Sequence, residues 1–138
     1  MQSVSLSVIV QIVKVFKNKW FDRWARDEDI PDSVLCEAAK DITEGKVEAD
    51  LGGCLFKKRL PRPGAGKRGG YRVVVGYKKP NTARIIFLFA FAKNDRANMS
   101  AKEEAALSLV AEAFVSASDK QLQKLLTLKT IKEVHCND

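Results

Sequence analysis

Residues 54–92 read CLFKKRLPRPGAGKRGGYRVVVGYKKPNTARIIFLFAFA, and this stretch decides the fold. It holds three strand-like runs, Cys54 to Leu60, Tyr71 to Lys78 and Arg84 to Ala92. Apolar, β-branched and aromatic residues dominate the runs, and Pro, Gly and Asn fill the gaps between them. The first gap, PRPGAGKRGG, is a basic loop, and Lys79-Pro80-Asn81-Thr82 is a turn. Side chains alternate between the two faces of a strand. Leu55, Lys57 and Arg59 therefore share one face of the first run, with Cys54, Phe56 and Leu60 on the other. Arg72, Val74 and Gly76 share a face of the second, opposite Tyr71, Val73, Val75 and Tyr77. The third run, RIIFLFAFA, is apolar on both faces, as in a central strand covered on both sides.

Helical patterns flank the strands. Phe16, Trp20, Phe21 and Trp24 recur at helical spacing and predict a helix from Phe16 to Arg26, with the last three side chains in the core. Pro31 suits a first turn, and a second helix follows from Asp32 to Glu44. It turns Val34, Leu35, Ala38, Ala39 and Ile42 inward and is capped by Gly45. Beyond the strands, Ser100 with Glu103 and Ser118 with Gln121 are capping-box pairs that open two more helices. Thr130 to His135 is either a short last strand or an unstructured tail. Val4, Leu6, Val8 and Val10 alternate with serines, so residues 1–14 are either an edge strand or an N-terminal extension. Residues 15–138 form one domain of α+β class, with two N-terminal helices on a small antiparallel sheet and C-terminal helices after it.

Composition narrows the function. The formal charge is +7, with 30% charged and 46% hydrophobic residues. That excess favours an acidic partner. A membrane fits poorly, because the stretch from Val4 to Val15 is short and broken by polar residues, and no helix pairs an apolar face with a basic one. Three cysteines without a C-x-x-C pair, and one histidine, argue against a disulfide framework, a metal site and a Cys-His nucleophile. Free thiols, with Cys36 and Cys54 as small core residues, suit a reducing cytosol.

The chemistry concentrates in residues 57–72. Lys57, Lys58, Arg59, Arg62, Lys67, Arg68 and Arg72 lie there without a single acid, and their number equals the whole formal excess. Such a loop can follow a phosphate backbone. If Lys57, Arg59 and Arg72 meet on one sheet face, they form a rigid cationic concavity, with Gly76 leaving room beside it. Clustered cations make a lysine a usable base, and arginines stabilise the charge of a phosphorane. Metal-free RNA cleavage is thus chemically open. Tyr71 and Tyr77 either stack on bases or pack in the core. Asp95 and Glu103 serve as acids or, in the blander reading, as surface and capping groups.

The ordered segments FKNKWFDRWAR, LCEA, ADLGG, KKRLPRPGAGKRGGYR, FAFAKNDRAN and EVHCND resemble a HigB-type subgroup of the RelE/ParE toxins over residues 15–137. The resemblance implies a cytoplasmic toxin of a type II toxin–antitoxin pair, acting on mRNA in the ribosomal A site without metal or cofactor. It implies a cognate antitoxin with a DNA-binding domain as partner. The expected catalytic residues are Lys57 or Lys67 for proton transfer, with Arg59 and Arg72 on the phosphate. Lys58, Arg62, Arg68, Tyr77 and Lys93 are expected RNA contacts. Asn94 stands where RelE itself has arginine, and no tyrosine follows Tyr77, so the family's acid–base pattern is incomplete here. A ParE-like gyrase poison and a non-catalytic RNA- or ribosome-binding module are the rival readings.

Overall fold

The computed structural model describes residues 13–62, 70–78 and 84–136. Its elements run β1 (Lys14–Asn18), α1 (Lys19–Asp27), α2 (Asp32–Thr43), β2 (Ala49–Gly52), β3 (Leu55–Leu60), β4 (Tyr71–Gly76), β5 (Arg84–Ala92), α3 (Ala101–Ser116), α4 (Asp119–Thr127) and β6 (Ile131–Val134). One six-stranded sheet has the order β2-β3-β4-β5-β1-β6. Neighbours are antiparallel except β1 and β5, which pair parallel. The alternating serine segment near the N-terminus lies outside the described residues.

The start of the first helix differs from the sequence expectation. Phe16 lies on a strand and is buried beneath α3, at a Phe114 ring 5.5 Å away. Asn18 is the reason: its side chain accepts from the Phe21 N–H at 2.7 Å and opens α1 there. Phe21 is fully buried and Trp24 partly so, but Trp20 is 46% exposed and rests against Phe89 instead of entering the core. α2 buries Leu35, Ala38, Ala39 and Ile42 as its pattern predicts, with Val34 only partly covered. Both capping boxes form.

Two cores sandwich the sheet. On one face α1 and α2 pack on Val73, Val75, Ile85 and Phe87. On the other α3 and α4 pack on Val74, Ile86, Leu88 and Phe91. β5 serves both faces by alternation, Ile85 and Phe87 on one and Ile86 and Leu88 on the other, and carries a bulge where Val74 pairs with Phe89 and Val75 with Phe87, leaving Leu88 as the extra residue. Among the described residues no helix is long and apolar enough to cross a membrane.

A disulfide corrects the expectation of free thiols. Cys36 on α2 is joined to Cys136 after β6, while Cys54 remains free. The bridge closes a loop of 100 residues. A closure that long stabilises by roughly 5 kcal/mol in the chain-entropy picture. Oxidised, unfolded protein should titrate one thiol and reduced protein three. Reduction should lower the urea midpoint without changing the fold at low denaturant.

A buried ion cluster ties β1, α1 and β6 together. Lys17 Nζ lies 2.9 Å from Asp22 and 3.1 Å from Asp32, and Lys132 reaches Asp22 at 3.1 Å. Burial opposes the Lys17 charge, but the hydrogen bonds its ammonium donates to both carboxylates outweigh it and raise the amine above its ordinary value. Burial also opposes the Asp22 charge, yet Lys17 and Lys132 hold that carboxyl low. Asp22 therefore contributes stability that is full above its unfolded value of 3.8 and lost as pH falls through its lower folded value. Asp22→Asn should cost about 3 kcal/mol near neutral pH. Denaturation followed against pH should show a flatter acid limb in the variant.

Candidate nucleic-acid interface

β3 and β4 pair so that Arg59 lies opposite Arg72 and Lys57 opposite Val74. Directly paired residues share a face, so Lys57, Arg59 and Arg72 meet on the face that carries α3. They sit toward the end of β4 away from Gly76. At Gly76, Ala111 of α3 closes down so tightly that an added Cβ would lie 3.0 Å from it. The space at Gly76 thus belongs to helix packing and not to the cleft.

The charges differ in setting. Arg59 is exposed. Arg72 is only 5% exposed, and its Nε lies against Glu48 Oε1. That contact pairs the buried arginine with a carboxylate. Lys57 Nζ lies 3.4 Å from the other oxygen of Glu48 and donates to Asn98 at 3.3 Å. One carboxylate therefore bridges two cations. A cavity of about 610 Å³ opens beside them, lined by Lys46, Val47, Glu48, Lys58, Arg59 and Arg72.

Other expected contacts disperse. Lys58 turns to the opposite face and pairs with Asp41 of α2 at 3.2 Å. Arg62 lies over the Tyr71 ring, 5.5 Å from its centre. Lys93 follows β5 at the surface and reaches the Ala97 carbonyl at 3.5 Å. Tyr77 is 6% exposed and packs on Phe56, so it offers no free ring to a base. Lys67 and Arg68 lie outside the described residues.

Three groups of the site escape sequence reasoning. Glu48 precedes β2, a strand too short and polar to stand out, and it sits just outside the acid-free window. Asn98 comes from the turn before α3. Arg96 bonds both oxygens of Glu103, at 2.9 and 2.8 Å, and lies over Phe89 and Phe91. Hydrogen bonding from Arg96, then from the Ser100 N–H, pulls the Glu103 carboxyl down to about 2. Glu103 is thus committed to capping and to Arg96. The FAFAKNDRAN segment contains Arg96, but charge alone does not separate it from its neighbours.

A two-core α+β sandwich whose sheet presents clustered cations, one of them buried, is a scaffold of the RelE type. The family model for the RelE toxin of the RelE/RelB toxin–antitoxin system matches residues 13–134, and the chain belongs to that family. It is accordingly a type II toxin, and a cognate antitoxin is its implied partner. No curated protein matches the chain.

The two faces make a measurable distinction. Removing one cation that binds a phosphate lowers the salt slope of single-stranded RNA binding by about 0.7. Arg59→Ala should produce that drop in a filter-binding series over salt concentration. Lys58→Ala, whose amine is held by Asp41, should leave the slope nearly unchanged.

Proposed function

We propose that this toxin is a HigB-like, ribosome-dependent endoribonuclease that cuts mRNA in the A site without a metal. The observation that carries the reading is the meeting of Lys57, Arg59 and Arg72 on one sheet face, with Arg72 buried and held against Glu48. Such donors, fixed before substrate arrives, stabilise developing charge without reorganisation.

In this reading the RNA's 2′-oxygen attacks its own phosphorus. Lys57 is the proton-transfer group, with Lys67 the alternative outside the described residues. Arg59 and Arg72 hold the phosphate oxygens as charge builds in the phosphorane. The 5′-oxygen then leaves with a proton, and the upstream fragment keeps a 2′,3′-cyclic phosphate. Glu48 compensates Arg72 and Lys57 in the free protein and yields part of that role when phosphate binds.

Induced expression in a bacterial host, with primer-extension mapping of a reporter mRNA, tests this. Cuts should fall inside translated codons and vanish when translation is blocked. Lys57→Ala and Arg59→Ala should each lower cutting on the order of a hundredfold while the variants still co-purify with the antitoxin. Growth arrest with intact mRNA would sink the nuclease reading, and DNA-damage signalling would then indicate gyrase. Salt-dependent RNA binding without cut products would leave a binding module.

A further inference from the structure

The sulfurs of Cys36 and Cys136 take no part in the chemistry at the cation cluster, yet they join α2 to the residues that follow β6. Among the described residues no other side-chain bond ties 135–136 to a distant element; Cys136 Sγ otherwise reaches only the nearby Val134 carbonyl. Cys136 is exposed and Cys36 half-buried, so a thiol in solution can reach the bridge. Exposed disulfides are the labile ones, whereas sheltered structural ones resist the glutathione pool. We propose that the Cys36–Cys136 bridge is a redox latch on the outer strand of the sheet: glutathione opens it and frees β6 to leave the edge, and glutathione disulfide closes it. The proposal does not depend on RNA being the substrate.

The two elements that the bridge joins are held very differently without it. α2 is fastened several times over: Lys17 holds Asp32, Lys58 holds Asp41, and Leu35, Ala38, Ala39 and Ile42 are buried. β6 is an edge strand that pairs only with β1. It buries Ile131 and Val134, and Lys132 reaches Asp22 from an exposed position. A segment with so few buried contacts opens locally before the rest of a fold. Breaking the bridge therefore leaves α2 in place and lets β6 open more often, which uncovers the outer edge of β1. Cys54 cannot replace either partner. It packs against the core under α3, while Cys36 packs against the core on the opposite face, with the sheet between them.

Opening proceeds by thiol–disulfide exchange. A glutathione thiolate attacks the exposed Cys136 sulfur, the S–S bond breaks, and its electron pair leaves on Cys36. Cys136 is then a mixed disulfide with glutathione. A second glutathione thiolate attacks the glutathione sulfur of that bond, and Cys136 leaves as a thiolate. Both cysteines take up a proton. The protein has gained two electrons and two protons, and two glutathiones have become one glutathione disulfide. Closing is the same sequence in reverse.

The test is to equilibrate the folded protein in mixtures of reduced and oxidised glutathione, count thiols by alkylation after unfolding, and digest parallel samples briefly with trypsin. The bridge should pass from closed to open within the range of those mixtures. Trypsin cuts after Lys132 only when β6 has left the sheet, so that cut should become roughly tenfold faster as the bridge opens and should precede any cut after Arg72 in β4. Cys136→Ser, a change at an exposed position, should be cut after Lys132 at the open rate in every mixture. A bridge that stays closed in a large excess of reduced glutathione is a structural staple and overturns the latch. A bridge that opens with no change at Lys132, or with Arg72 cut as fast as Lys132, overturns it too, since β6 is then either not held by the bridge or lost only with the whole fold. A Cys136→Ser protein that still responds to glutathione would place the response elsewhere and have the same consequence.

Discussion

The pairing of Arg59 with Arg72 across β3 and β4 is the constraint on which the rest of the site depends. Like charges placed directly opposite each other repel, so the register is not held by the groups that use it. It is held from the far face, where Leu60, Tyr71, Val73 and Val75 are buried under α1 and α2. A slip of one residue would turn those side chains to the α3 face and drive the cations into the core. The repulsion is relieved by Glu48, which arrives through a hairpin. Gly52 and Gly53 both take positive φ, and the returning strand lets the Glu48 N–H bond the Lys57 carbonyl at 2.8 Å. β2 thus matters less as a strand than as the arm that delivers a counter-ion.

The platform beneath the cations is stiffened from both sides. β5 feeds two cores by alternation, Ile85 and Phe87 on one face and Ile86 and Leu88 on the other, so the sheet is gripped by helices on each face. The segment from Lys93 to Ser100 is pinned in turn by Glu103. Its carboxylate accepts from the Ser100 N–H at 2.8 Å while binding Arg96. That anchorage carries Asn98 to Lys57. A capping box, which is ordinarily a local helix device, here also orients a neighbour of the candidate site.

The strands, their faces and both capping boxes are legible because each rests on local periodicity or spacing. RIIFLFAFA spans Arg84–Ala92 as expected, and the shared face of Lys57, Arg59 and Arg72 follows from alternation once the register is known. What stays hidden depends on distant partners. Phe16 fits a helical spacing and a strand equally well until Asn18 is seen capping α1. Cys36 and Cys136 meet only because α2 and the end of β6 lie side by side, which spacing does not disclose. Counting charge overestimates the site for the same reason: Lys58 belongs to Asp41 and Tyr77 to the core, while Glu48, an acid, belongs inside it.

The net charge and the cluster therefore do different work. The formal excess of +7 acts at range on any anion. Near the sheet the cations are already answered: Lys58 by Asp41, and Lys57 and Arg72 together by Glu48. Arg59 is the exception: it lies exposed opposite Arg72 and forms no ion pair among the described residues. At Lys57 and Arg72 any incoming anion would have to share with or displace Glu48, so the gain there would be the difference between two anions. The placement of each cation and its partner, more than total charge, therefore sets what this end of the sheet offers an anion.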